Sequence, residues 1–294
     1  LVDPTRSLLT GATSTRLFGR LSYDVSDNVN VFVEGSYAKN KTALTNAVHF
    51  AVFLPLSGNP YLANAGVTYG PGADGLPLGV ILFATPEFGT PSAVTGSDAW
   101  SVKAGLNGDL GSGWKFSTTY VHGEVKQNLT SREFNMQHLY ASLDAVTPAG
   151  GGAPVCYVST LAANPLPGCL PYNPFGANRN ANMAGLNNWL FANSISDVIN
   201  KMDVFSASIN GSPFDLPAGP VSVSLSAEYR KNSLVRSSNS DPAVPIDTLG
   251  GAIRGTVFNT RFGINNTGLI SGSNNVKEAG IEVLAPITSA QSAI

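Results

Sequence analysis

Few side chains in this sequence are of types that do chemistry, and their spacing limits what that chemistry is. Cys156 and Cys169 are the only two cysteines, thirteen positions apart in a Gly/Pro-rich stretch. Such a pair either closes a disulfide or offers two ligands to a metal, which needs three or four such groups. His122 and His138 show no ligand spacing, and neither they nor His49 stand in a recognisable nucleophile context with a Ser or Cys. Glu278 and Glu282 share one face of an alternating run, so paired carboxylates are conceivable, but no pocket is evident around them. Gly111-Ser-Gly113 has the look of a phosphate-cradling loop, yet no helix follows to supply an N-terminus, and a hairpin turn explains it better. Tyr61, after Asn59-Pro60, and Phe175, after Asn173-Pro174, put aromatics beside rigid turns. They could stack on a ligand, or simply pack their own loops. No catalytic constellation and no cofactor motif emerges, so the chain is not read as an enzyme.

The elements that must position these residues are strands. From Val221 to Arg230, Val221, Val223, Leu225, Ala227 and Tyr229 alternate with Ser222, Ser224, Ser226, Glu228 and Arg230. A period of two gives one apolar and one polar face. Val204 to Gly211 behaves similarly, and the proline-rich 212–220 stretch is expected to connect the two. Runs at 15–25, 29–39, 99–110, 114–126 and 276–287 repeat the alternation, which makes about seven long strands.

Connections alternate in length. Turns at 26–28, 111–113 and 212–220 are short, whereas 39–98, 127–200 and 231–275 are long. Within the long ones, 48–56 and 76–84 are candidate local strands, and 136–146 and 181–192 candidate short helices. Connections beyond about 12–15 residues are uncommon in compact domains and tend to be functional or disordered.

Composition points the same way. Only 12% of residues are charged, against about 25% in soluble proteins. No run reaches the ~18–20 apolar residues of a membrane helix. The net charge of −2 gives no sign of nucleic-acid binding. Low charge, amphipathic strands, and short turns alternating with long loops suit an all-β, antiparallel transmembrane β-barrel segment with short periplasmic turns and long extracellular loops. In that reading Arg16, Arg20, Glu34, Lys103, Asp109, Glu228, Arg230, Glu278 and Glu282 face the lumen. Tyr23, Tyr37, Trp100, Trp114, Tyr120 and Tyr229 form lipid-facing girdles.

The chain resembles the β-barrel of TonB-dependent outer-membrane receptors of Gram-negative bacteria. The likeness rests on Arg16-Leu-Phe-Gly-Arg-Leu-Ser-Tyr-Asp24, Val31-Phe-Val-Glu-Gly-Ser-Tyr37, and Leu143-Asp-Ala-Val146 before Cys156. It rests also on Cys169-Leu-Pro-Tyr-Asn-Pro-Phe-Gly176, and on Leu216-Pro-Ala-Gly-Pro220 leading to Glu228-Tyr-Arg230. The resemblance implies a barrel of roughly 22 strands around an N-terminal plug, driven by the TonB complex and taking up a siderophore, cobalamin or glycan. This chain departs by showing about seven strands and no plug or TonB-interaction segment. It begins without Met and ends just after a strand-like run, so residues 1–294 are expected to be part of one receptor barrel domain. Expected partners are outer-membrane lipid, an extracellular small molecule and, through the plug, the TonB complex, with no nucleic acid. In the oxidising compartment this implies, Cys156 and Cys169 are expected to pair as a disulfide that restrains their loop. A passive porin or adhesin barrel and a soluble all-β binding module are the rival expectations.

Overall fold

The structure, a computed structural model, describes residues 11–45, 49–55, 58–63, 78–84, 92–174, 183–247, 249–254 and 260–288, with backbone only for 49–55, 62–63 and 78–84. Its elements are β1 (Gly11–Ser26), β2 (Val29–Thr45), β3 (His49–Pro55), α1 (Pro60–Ala63), β4 (Leu78–Ala84), β5 (Ser92–Gly111) and β6 (Trp114–Phe134). They continue with α2 (Met136–Leu143), β7 (Ala145–Val146), β8 (Val155–Cys156), α3 (Met183–Leu190), β9 (Phe191–Leu216), β10 (Gly219–Ser238) and β11 (Ile270–Leu284). Seven long strands form one antiparallel sheet in the order β1-β2-β5-β6-β9-β10-β11, with β1 and β11 at its edges. The sheet is open. β3 pairs with β4 and β7 with β8 in separate two-stranded sheets, so both expected local strands form.

The register keeps the two faces apart. Leu17 lies opposite Tyr37, Tyr37 opposite Trp100, Val33 opposite Ala104, and Leu225 opposite Ile209 and Ile281. Because facing alternates along each strand, one matched apolar pair fixes every other residue of both strands. At the turn 112–113, Gly111, Ser112 and Gly113 all have positive φ (82°, 53° and 80°), a run that glycine makes feasible. The Asp109 carboxylate accepts the Gly111 N–H at 2.8 Å and fastens this turn.

Two boundaries depart from the sequence pattern. The 212–220 stretch is strand for most of its length, turning only at Pro217-Ala218. Pro213, which cannot donate, is absorbed where the register slips between Val221 and Val223. At the other end the strands outrun the pattern, so the long connections shrink to 46–91, 135–190 and 239–269. β9 has 26 residues and β6 has 21, where about 9–11 suffice to cross a bilayer. The excess stands at the end carrying the long connections.

The hydrophobic core lies at that end too. Only Phe32 and Val221 are buried apolar residues of the sheet below the cap. The packed cluster instead joins Phe134, Met136, Leu139, Leu143, Cys156, Val158, Tyr172, Leu186, Leu190, Phe191 and Ile253. It forms a cap from α2, α3, the loop between them and part of 239–269. α2 starts at Asn135, whose side chain accepts the His138 N–H, and it buries Met136, Leu139, Tyr140 and Leu143 on one stripe. Both helices are shorter than their sequence pattern, stopping where β7 and β9 begin.

Candidate functional site

The polar face of the sheet is its hollow face. Three open troughs, of about 1040, 690 and 530 Å³, lie on it, while a shallower one of about 430 Å³ lies on the opposite face, over Gly19 and Gly35 between Leu17, Tyr37, Trp100 and Val102. Small polar side chains lace neighbouring strands there. Ser36 and Ser101 hydroxyls meet at 2.7 Å, Ser117 donates to Asn107 at 2.7 Å, Thr119 and Ser206 meet at 2.7 Å, and Asn232 donates to Asn274 at 3.1 Å. The largest trough crosses all seven strands towards the cap and is more apolar than the sequence pattern suggests, with Phe18, Val125, Met202 and Leu234 among its lining.

Most of the charged residues expected on this face form local sets. Arg20 binds Glu34 at 2.7 Å, Lys103 stands opposite Glu34 in register, and the Arg20 guanidinium and Lys103 ammonium lie 4.5 and 5.5 Å from the Phe32 ring centre. Phe32 is 5% exposed because its ring lies over Gly105 across the strand pair. Arg230 and Glu228 form an ion pair, and Glu228 faces Glu278 in register. Arg16 lines the largest trough, and Glu282 lines the second. Asp109 is occupied with its turn. The structure does not gather these residues into one site.

The apolar face is bare. Leu21 is 80% exposed, Ile281 69% and Phe205 51%. Of the expected girdle, Tyr37 and Trp100 are direct neighbours. Tyr120 and Tyr229 flank Phe205 in a three-strand aromatic row whose middle member was legible only as an apolar position. Tyr23 is exposed near the 27–28 turn, and the Trp114 ring covers Gly211. The face also bears a polar cluster with no sequence signal. Asp203 accepts from the Tyr120 hydroxyl at 2.7 Å and lies 2.7 Å from His122 Nδ1, while Tyr37 donates to Asp98 at 3.0 Å.

The cap holds the expected disulfide and, besides it, an ion pair and hydrogen bonds that sequence spacing does not connect. Cys156 and Cys169 are disulfide-bonded, with Cα atoms 6.1 Å apart. Buried Asp144 accepts from Arg254 Nε at 3.0 Å and from the Arg254 backbone N–H at 3.3 Å, and Arg254 lies 4.1 Å from the Tyr157 ring centre. Buried Glu133 accepts the backbone N–H groups of Ile264 and Asn265 at 2.8 and 3.0 Å. These carboxylates tie 239–269 to the ends of β6 and α2. Asn59 joins the first long connection to the cap, donating to the Leu143 carbonyl at 2.9 Å.

Tyr61 is half-buried beside Asn59, and burial pushes its hydroxyl above the usual tyrosine range, which suits packing of the loop. Phe175 lies outside the described residues. His138 stacks on Trp189 with centroids 4.0 Å apart and its Nδ1 lies 2.7 Å from the Trp189 carbonyl, so it braces α2 against α3. Among the described residues no group of three His, Cys, Asp or Glu is arranged to hold a metal ion. No described helix is long and apolar enough to cross a membrane, which says nothing about crossing by strands. In comparison with known proteins, no family model and no curated protein matches this chain.

Proposed function

We propose that the chain is part of an outer-membrane β-barrel receptor of a Gram-negative bacterium, of the TonB-dependent kind, that takes up a scarce solute. The observation that supports a barrel is the division of the sheet: one face is laced by hydrogen-bonded polar side chains, and the opposite face, between the short turns and the aromatic residues, is apolar and exposed. A soluble sandwich buries its apolar face against a second layer. Here the described packed core is almost wholly in the cap, so lipid is the medium that suits the sheet's apolar side. The length of the strands and the position of the cap fit short turns on the periplasmic side and long connections outside the cell. The TonB-dependent assignment rests on the sequence resemblance, and with it the plug, the TonB complex and the solute class of siderophore, cobalamin or glycan. The polar residues of the hollow face would line the lumen, and the cap would meet the solute first.

The test is protease digestion of intact cells, with fragments mapped by mass spectrometry. Cleavage within 46–91 or 239–269, with the 112–113 turn spared until the outer membrane is opened, is the expected result. Cleavage at 112–113 alone would invert the topology. Release of the chain by carbonate washing of the membrane fraction would end the barrel reading.

A further inference from the structure

On the apolar face, the strand stretches between the short turns and the aromatic residues carry no charge. The lysines on that face begin at the level of the aromatic residues, where Lys277 lies opposite Tyr229, and the other five stand beyond, toward the cap. Lys41, Lys126 and Lys231 each stand thirteen residues past the last residue of a turn, Asn28, Gly113 and Ala218. Thirteen residues at ~3.3 Å each, tilted by ~45°, rise roughly 30 Å, the hydrocarbon thickness of a bilayer. Lys39, Lys201 and Lys277 share the face and the region, and all six are exposed. Partial neutralisation comes from Asp98, 3.7 Å from Lys39, and from Glu124, 3.0 Å from Lys126 and 3.1 Å from Lys201. Asp203 is engaged by Tyr120 and His122. A fourth acid on the face, Asp197, accepts from the Asn128 amide at 2.6 Å, and six lysines against four acids leave the band cationic.

The excess is greatest across β9, β10 and β11. Lys231 lies opposite Asp203 on β9 and Asn275 on β11, which makes Lys201 and Lys277 its diagonal neighbours two residues on. Diagonal neighbours are ~7–8 Å apart, within reach of long side chains. Among the described residues neither Lys231 nor Lys277 makes an ion pair. Ser233 and Asn275 add hydroxyl and amide groups on the same face.

We infer that Lys201, Lys231 and Lys277, with Ser233 and Asn275, form a docking site for the phosphorylated headgroup of a membrane lipid in the leaflet on the cap side. The inference rests on the membrane reading and adds a defined ligand class to it. A phosphate is matched in charge by this unpaired lysine pair. It is matched in position too, because Lys201 and Lys231 emerge just past the aromatic row Tyr120–Phe205–Tyr229, where hydrocarbon gives way to headgroups, and Lys277 extends that row, opposite Tyr229. Lysines serve here as compact charges that reach upward from apolar stems.

The test compares the natural full-length protein with its K201Q/K231Q/K277Q variant, reconstituted in phosphatidylcholine nanodiscs with and without phosphatidic acid. Binding of phosphatidic acid is read by native mass spectrometry. Each lysine near an anionic surface contributes roughly a fivefold factor, so the triple variant should bind on the order of 100-fold more weakly. Arg236→Gln, a cation on the opposite face of β10, should leave binding unchanged. Equal binding by wild type and triple variant, an equal loss in Arg236→Gln, or no preference of the inserted wild type for phosphatidic acid would each overturn the inference while leaving the membrane reading intact. A wild-type protein that enters neither bilayer overturns both.

Discussion

Arg254→Ala should unlock one side of the cap and leave the sheet alone. Asp144 is 1% exposed, and its carboxylate accepts from the guanidinium and the backbone N–H of Arg254. Without the guanidinium, one backbone donor remains for a buried negative charge. Breaking a buried pair from one side costs about 3–5 kcal/mol. The Arg254 side chain is 26% exposed, so water reaches the gap it leaves, and about 3 kcal/mol is the expected cost. That cost falls on local opening of 249–254, whose other ties are the packing of Leu249, Ala252 and Ile253 on the core cluster and, just before it, the Gln137 amide donating to the Asp247 carbonyl. Amide hydrogen exchange reads it directly: amides of 249–254 and of α2 should exchange roughly 100-fold faster. Amides in the pairing of β5 with β6 should not change. The D144N/R254M double variant removes both charges and should recover most of the protection. Unchanged exchange at 249–254, or acceleration spread evenly through the sheet, would refute the view that this pair locks the two connections together.

Leu106→Arg, on the apolar face between Val31 and Thr118, should cost roughly 2–4 kcal/mol in bilayer refolding, and Asn107→Arg on the polar face much less; equal costs would reverse the facing assignment. Gly105→Ala places a Cβ 2.3 Å from the Phe32 ring and should cost about 1–3 kcal/mol by denaturant unfolding, whereas Gly35→Ala meets nothing within 4 Å and should be near neutral. Cys156→Ser with Cys169→Ser removes about 3 kcal/mol of restraint on the unfolded loop. It should leave the sheet heat-resistant on gels while weakening ligand capture, and unchanged uptake would remove the proposed role of the disulfide in capture.

The sheet was legible because one period dominates it. From Trp100 to Leu110 every second residue is apolar or glycine, and the structure keeps that phase across all seven strands. Near the cap the period fades, since Asn128, Thr130, Ser194 and Ser196 are polar irrespective of face, and the strands there could not be told from loop. Pro213 was read as a break because a bulge that accommodates a proline leaves no mark in the sequence. The cap's fasteners were illegible for a different reason. Glu133 meets Asn265, and Asp144 meets Arg254, across more than a hundred residues. No local spacing encodes such a meeting. Three lysines of the band, Lys41, Lys126 and Lys231, did have a signal, a constant distance from each turn, but it is visible only once the turn at 217–218 is fixed.

If the chain belongs in a membrane as proposed, the open sheet has a consequence for how it survives before it gets there. Among the described residues β1 and β11 each carry one row of backbone N–H and C=O groups with no strand beside it. In hydrocarbon each unmet group costs several kcal/mol, so these rows require further strands or each other. In water the same rows are templates, long and flanked by exposed leucine, isoleucine and valine, on which another copy can add edge to edge. Self-assembly in the wrong geometry therefore competes with closure, and the outcome depends on concentration and delay. A holdase that covers β1 or β11 would protect this chain more effectively than one that binds the cap, whose apolar groups are already packed.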